Sequence, residues 1–231
     1  MSIPKIIHYC WFGGKKKPDL VEKCIDSWKY YLKDYEIMEW NEENFPIKNF
    51  KFANDTYKDG KWAFLADYCR LWALYNYGGI YLDTDMEVLK PLNDFLEHSS
   101  FGGLEDYEIN MAIWGCEKYD RFISEVLKYY NNLNYEDYKE KLSELAIPIH
   151  LTIIAKHLGY KAINNKVSYF YDGVAIYPKE YFYPKRHSWQ EPIITDNTYT
   201  IHHYEGTWRK PHQIFRSKLK GKILSFIRGF K

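Results

Sequence analysis

Residues 66–92, ADYCRLWALYNYGGIYLDTDMEVLKPL, run from an apolar helical pattern through a Gly-Gly turn into a short β-rich stretch. That stretch ends in two aspartates two residues apart. The pattern at 62–77 predicts a strongly apolar helix stopped by Gly78-Gly79, and 80–82 predicts a short strand. On a strand, residues i and i+2 point the same way, so Asp83 and Asp85 are expected to project together from its C-terminal end. In open α/β sheets ligands sit at that edge. Two like charges so close repel unless a cation lies between them, and hard oxygen ligands select Mg²⁺ or Mn²⁺. A bare D-x-D also occurs in ordinary surface turns, so its surroundings must decide.

The helix before it supplies that context. Although apolar almost all round, it carries Asp67 and Arg70, an i,i+3 pair on one face. Such a pair gains little in a dry core. It fits either a partly solvated salt bridge or the wall of a polar ligand pocket.

Working outward, residues 5–12 read as a buried first strand closed by Gly13-Gly14. Residues 18–32 read as a helix, with Val21, Cys24, Ile25, Trp28 and Leu32 near helical spacing. Residues 35–40 read as a second strand and 41–60 as polar and irregular. Further strands are expected at 100–105, 109–116 and 198–204, strand and loop at 174–184, and helices at 120–131 and 148–158. This β-α-β-α-β order predicts an α/β sheet flanked by helices. A single domain is expected over 1–210, followed by a segment at 211–231. No acidic residue follows Glu205, while eight Lys or Arg do, interleaved with Ile214, Phe215, Leu219, Ile223, Leu224, Phe226, Ile227 and Phe230. This basic amphipathic tail suits an anionic membrane surface, or an ordinary C-terminal helix with solvated cations.

The net charge of +1 gives no signal for nucleic acid. Aromatic residues make up 19% of the chain, so many rings must be half-buried. The four cysteines are scattered with no C-x-x-C pair, which argues against a zinc knuckle. With no apolar leader and no membrane-length run, a cytoplasmic location is expected, peripheral on the inner membrane face if the tail binds lipid.

The block 66–92 resembles the glycosyltransferase sugar-binding region containing the DXD motif. That superfamily includes bacterial capsular-polysaccharide transferases, yeast outer-chain mannosyltransferases and the glucosylating domain of large clostridial toxins. The opening IPKIIHYCWFGG (residues 3–14) and the later VAIYPKEYFYP (174–184) and HHYEGTW (202–208) resemble its flanking elements. The resemblance implies a GT-A fold, a Rossmann-like sheet holding a nucleotide-sugar with Mn²⁺ or Mg²⁺, Mn²⁺ favoured. By that similarity Asp85 ligates the metal, and Asp83 contacts the ribose, the sugar or the ion. Asp67 and Arg70 hold the donor sugar, with Tyr81 beside them and Trp11 at the nucleobase end. His203, in an H-x-x-G-x-W pattern, is the expected further metal ligand, with His202 facing the opposite side. Thr207 and Trp208 close over the diphosphate, Arg209 and Lys210 add positive charge, and Asn110 faces the donor or acceptor. Ala66 stands where relatives commonly have Ser, and Ala146-Ile147-Pro148 where they often have Thr-Gly-Pro.

The expected reaction is a retaining transfer of a hexosyl group from a nucleotide-sugar, a UDP-sugar favoured, to a glycan or lipid-linked oligosaccharide in surface or capsular polysaccharide synthesis. A metal-dependent nucleotidyltransferase or phosphohydrolase also uses paired carboxylates but leaves the Asp67/Arg70 helix unexplained. A nonenzymatic glycan-binding module accounts for the aromatic residues alone.

Overall fold

The computed structural model describes residues 2–163 and 165–206. Strand β1 (Ile6–Cys10) leads into helix α1 (Asp19–Tyr31) and strand β2 (Glu36–Trp40), a right start for a parallel sheet. Pro18 opens α1, Asp19 and Glu22 lie in its first turn and Lys29 in its last, matching the helix dipole. Its Val21, Cys24, Ile25 and Trp28 form the buried face.

The stretch 41–60 is not irregular throughout. A 3₁₀ turn (Ile47–Asn49) and helix α2 (Lys51–Lys58) occupy it. The mostly polar composition conceals a small buried face of Phe52, Ala53 and the back-bonded Thr56, and the helix packs on the next one, α3 (Trp62–Tyr77). Helix α3 is buried on several sides, as a helix without a polar face must be.

Gly78 ends α3 at φ 67° and Gly79 starts strand β3 (Gly79–Leu82) at φ 97°. Neither position accepts a Cβ. One added at Gly78 would lie 2.6 Å from the Lys118 amide nitrogen, and one at Gly79 would lie 2.6 Å from the Ile6 carbonyl. The two glycines therefore let the helix turn sharply and let β3 lie tightly against β1.

Strand β4 (Met86–Val88) follows, then β5 (Ser100–Glu105), β6 (Glu108–Cys116), helix α4 (Arg121–Asn132), helix α5 (Ile147–His157), β7 (Ser168–Phe170), β8 (Val174–Tyr177), the short helix α6 (Lys179–Phe182) and β9 (Thr200–His202). The Asp120 carboxylate caps α4, accepting from the Ile123 amide at 2.7 Å. Seven strands form one mixed sheet in the order β2-β1-β3-β6-β5-β8-β7. β1 is parallel to β2 and β3, whereas β6 is antiparallel to β3 and β5. β4 and β9 form a separate antiparallel pair in which Met86 faces His202.

Two apolar layers cover the sheet. Helices α2 to α5 supply one, around Leu65, Tyr68, Trp114 and Leu151. The other contains α1 and the β4–β9 pair, around Trp28, Ile80, Met86 and Phe182. The Trp28 indole N–H donates to the Met86 carbonyl at 2.7 Å, fastening the small sheet to α1. The four cysteines are buried and unpaired in disulfides. Thr207, Trp208, Arg209, Lys210 and the basic segment 211–231 lie outside the described residues.

Candidate functional site

The two aspartates come together through a turn rather than by strand alternation. β3 ends at Leu82, and the Met86 amide donates to the Asp83 carbonyl at 2.9 Å. That turn, 83–86, reverses the chain into β4. The Asp83 amide donates to the Ala112 carbonyl at 2.7 Å, so β6 holds the start of the turn at the sheet's C-terminal edge. On its far side the His203 amide donates to the Asp85 carbonyl at 2.9 Å, extending the β4–β9 ladder.

This ladder decides between the adjacent histidines. His202 pairs with Met86 and turns its ring toward the carboxylates, with Nε2 3.2 Å from Asp85 Oδ1. Ligand atoms of Asp83, Asp85 and His202 all lie within 4.8 Å of one another. His203 faces the other way, as strand alternation requires. Its Nε2 lies 2.8 Å from Glu87 and its Nδ1 3.3 Å from Lys185 Nζ. The expectation that His203 joins the aspartates is thus corrected, and His202 takes that place.

Asp85 is 8% exposed and both its oxygens have partners. Oδ1 meets His202, and Oδ2 accepts from the Glu205 amide at 2.9 Å. Burial alone would raise its pKa. The His202 charge, its hydrogen bond and the Glu205 N–H outweigh burial and hold the carboxyl below the ordinary range. For His202, burial acts to lower the pKa, but Asp85 overrides it and raises the imidazole. Burial lowers His203, offset only in part by Glu87. Tyr204 adopts φ 56° and its ring lies tilted against that of His202, 4.1 Å between centroids. This left-handed step turns the chain so that the Glu205 amide reaches Asp85.

Beside this group stands a second one, built on α3. Arg70 Nη2 lies 2.8 Å from Asp67 Oδ1 and 3.1 Å from Asp83 Oδ1, and its Nη1 donates to the Met111 carbonyl at 2.8 Å. Its guanidinium carbon sits 4.5 Å above the Tyr81 ring, whose hydroxyl donates to Asp83 at 3.2 Å. One cation thus serves two carboxylates in a site where Asp67 and Arg70 are each 6% exposed. Burial pushes the Asp67 carboxyl up to about 7, against the pull of Arg70 and with a further push from Asp83. Arg70 stays charged: burial opposes its charge, but Asp83, Tyr81 and Asp67 more than compensate.

His8 on β1 locks the approach to β3. Burial holds its imidazole down at about 4, so the ring is neutral near pH 7. Its Nε2–H donates to the Gly78 carbonyl at 2.7 Å while Nδ1 accepts from the Trp40 indole at 3.2 Å.

The donor set of two carboxylates and an imidazole suits Mn²⁺, and with less nitrogen preference Mg²⁺. The His202 Nε2, 3.2 Å from Asp85 Oδ1, is the ring nitrogen placed to act as a ligand, and its buried Nδ1 has no partner among the described residues. The residues present therefore fit a divalent ion.

A family model described as "Glycosyltransferase sugar-binding region containing DXD motif" matches residues 18–102. Over those residues the chain is similar to the sugar-binding region of the DXD glycosyltransferases. Residues 83–85 are the D-x-D of that region, and Asp67, Arg70 and Tyr81 lie within it. Inositol phosphoceramide mannosyltransferase 3 of Schizosaccharomyces pombe is 31% identical over 107 residues, covering 43% of this chain and 29% of the relative. Inositol phosphoceramide mannosyltransferase 1 of the same yeast is 28% identical over 111 residues, covering 43% and 33%. The match thus takes in no more than a third of either relative's length. Among solved structures, the PaToxG glycosyltransferase superposes with a TM-score of 0.56 at 19% identity, over 68% of this chain and 69% of that one. The DXD region therefore sits in a GT-A-type α/β fold.

The side-chain hydrogen bonds of Trp11 and Asn110 go to residues other than Asp67, Arg70, Asp83, Asp85 and His202. The Trp11 indole N–H donates to the Lys15 carbonyl at 2.6 Å, at the C-terminal end of β1. Asn110 accepts from the Ala112 amide at 2.8 Å and donates to Glu105. The residues missing from the sequence-based site are the Met111 carbonyl, the Glu205 amide and Tyr204. Only the His-His dipeptide was visible as a signal, and it did not say which ring turns inward.

Proposed function

We propose that this chain is a metal-dependent, retaining glycosyltransferase that moves a hexosyl group from a nucleotide-sugar to a hydroxyl of a growing surface glycan. The observation that carries the reading is the convergence of Asp83 and Asp85, both within the matched region, with His202 from β9, beside the Asp67–Arg70 pair at the sheet's C-terminal edge. A paired-carboxylate phosphohydrolase has no use for that second pair.

Asp83, Asp85 and His202 are the groups that would hold Mn²⁺ or Mg²⁺, which when bound supplies positive charge to the leaving diphosphate. Asp67 offers a carboxylate oxygen to sugar hydroxyls, and Arg70 orients both Asp67 and Asp83 through one nitrogen. Tyr81 forms the floor beneath the guanidinium. Arg70 engages Asp67 at 2.8 Å, which suits that carboxylate to binding rather than to attack on the anomeric carbon. Front-face attack, with the leaving phosphate taking the acceptor proton, is then the retaining route. The transition state carries oxocarbenium character.

The donor is a UDP-hexose in this reading, and the mannosyl transfer named for the curated relatives makes mannose the first alternative sugar. The acceptor is a glycan or lipid-linked oligosaccharide. The basic segment 211–231 is assigned to an anionic membrane surface at which such acceptors are presented. No helix among the described residues is long and apolar enough to cross a membrane.

The test incubates the full chain and Mn²⁺ with UDP-glucose, UDP-galactose, their N-acetyl forms and GDP-mannose, reading released nucleotide and the anomer formed by NMR. One donor should be consumed with retention. Inversion removes the front-face route, and nucleotide release independent of the sugar removes the transferase reading.

A further inference from the structure

The C-terminal edge of the sheet carries a cavity away from the carboxylate group. Between β5 and β6 the register jumps from Gly102↔Trp114 to Gly103↔Asn110. A break of this kind re-aims the end of a hairpin. The tip that follows, Asp106-Tyr107, overhangs a cavity of about 360 Å³ bounded on its other side by the end of β8 and the start of α6. β3, β5 and β8 run the same way, since β6 is antiparallel to both β3 and β5 and β5 is parallel to β8. The cavity and the D-x-D turn therefore open on the same edge. At about 4.8 Å per strand, β5 lies two spacings from β3, roughly 10 Å, and β8 three, roughly 14 Å.

The lining is neither a plain apolar groove nor an anion cradle. Tyr107 is 89% exposed at the hairpin tip, and the buried Tyr160 lines the cavity with it. Asp106 engages Lys179 at 3.4 Å and Arg186 at 2.8 Å, so the two cations nearest it are already paired. Glu180 and Lys166 complete a nearly balanced set of charges. Aromatic faces between spaced carboxylate, ammonium and guanidinium groups match a ligand with apolar C–H faces and many hydroxyls. A phosphate-rich ligand would call for unpaired cations instead.

The cavity is also wired to the metal-binding group. Tyr204, whose ring lies against that of His202, donates its hydroxyl to the Lys185 carbonyl at 3.1 Å, and the next residue, Arg186, lines the cavity and pairs with Asp106. A ligand seated beside Tyr107 and Asp106 is thus connected through Arg186 and Lys185 to the segment that positions Asp85.

We propose that this cavity is a remote acceptor subsite, holding the body of an oligosaccharide while its terminal hydroxyl reaches the D-x-D turn. The proposal rests on the glycosyl-transfer reading. It adds that acceptor choice is set by sugar units distant from the reacting one, with Tyr107 as the stacking platform and Asp106 and Glu180 as hydroxyl partners.

The test is binding of free oligosaccharides to the full chain in EDTA, without nucleotide, by saturation-transfer NMR and titration. The probes are mannotriose, maltotriose, cellotriose and triacetylchitotriose. At least one should bind, and Tyr107→Ala should weaken it tenfold or more. Tyr107 is exposed, so its removal leaves the fold intact, as circular dichroism would confirm. Asp106→Asn with the same probe checks the polar side and should also weaken binding. No binding by any probe, or binding indifferent to both substitutions, overturns the subsite. If Tyr107-dependent binding is found but no nucleotide-sugar is turned over, the transferase reading fails while the carbohydrate site stands. If donor turnover is seen without such binding, only the subsite fails.

Discussion

The carboxyl of Asp67 offers a sharp test of the electrostatics around Arg70. Its folded-state pKa of about 7 lies above the ordinary value of 3.8. A carboxyl raised in this way binds a proton more tightly folded than unfolded. It therefore costs nothing at low pH, and its cost grows as pH rises from about 4 to about 7, then levels off. Asp67→Asn keeps the shape and an oxygen for Arg70 but cannot ionise. The stability of the wild type relative to this variant should fall as pH rises. At 1.36 kcal/mol per unit, the window from pH 5 to 7 gives about 2.7 kcal/mol. For a chain of this size each kcal/mol moves the melting temperature by about 2–4 °C, so the difference in melting temperature should change by roughly 5–10 °C between pH 5 and pH 8. Thermal melts of both proteins at the two pH values, in EDTA, measure it, and shared titrations cancel in the comparison. A difference that stays constant, or that moves in the wild type's favour as pH rises, would mean that Arg70 fully neutralises Asp67 and that its division between two carboxylates is wrong.

Other expectations follow from the same geometry. His202→Ala should weaken Mn²⁺ binding at least tenfold by calorimetry, whereas His203→Ala, which removes a ring held by Glu87 and Lys185, should leave it within about threefold. His8→Leu strands the Gly78 carbonyl and the Trp40 N–H, each costing about 1–3 kcal/mol when buried without a partner, and denaturant melts should show the loss. In the wild type, because the folded His8 pKa of about 4 lies below its unfolded 6.5, its contribution is present above 6.5 and lost as pH falls toward 4. Gly79→Ala forces a side chain into a left-handed residue against the Ile6 carbonyl. It should destabilise the protein by about 1–3 kcal/mol or more in urea unfolding.

Much of this was legible in the linear chain. The first strand, α1, the apolar α3, its Gly-Gly stop and the short strand after it follow from local periodicity and turn chemistry. The Asp67/Arg70 pairing follows from helical spacing. What escaped was long-range. Helix α2 hides its small apolar face among polar residues, and three-residue strands such as β4 carry no period to detect. The choice between His202 and His203 depends on the register Met86↔His202, fixed by pairing across more than a hundred residues. That Arg70 also serves Asp83 depends on β3 lying beside α3 in space, which no spacing within the helix reveals.

The β4–β9 ladder has a consequence for the order in which the protein matures. Chains are made from the amino end, and their early parts condense first. The two aspartates leave the ribosome long before the histidine and the Glu205 amide that complete their surroundings, and a chain halted short of β9 would have a nearly whole sheet with a half-made centre. Under the proposed reading, the group around Asp85 is complete only once synthesis has passed Glu205.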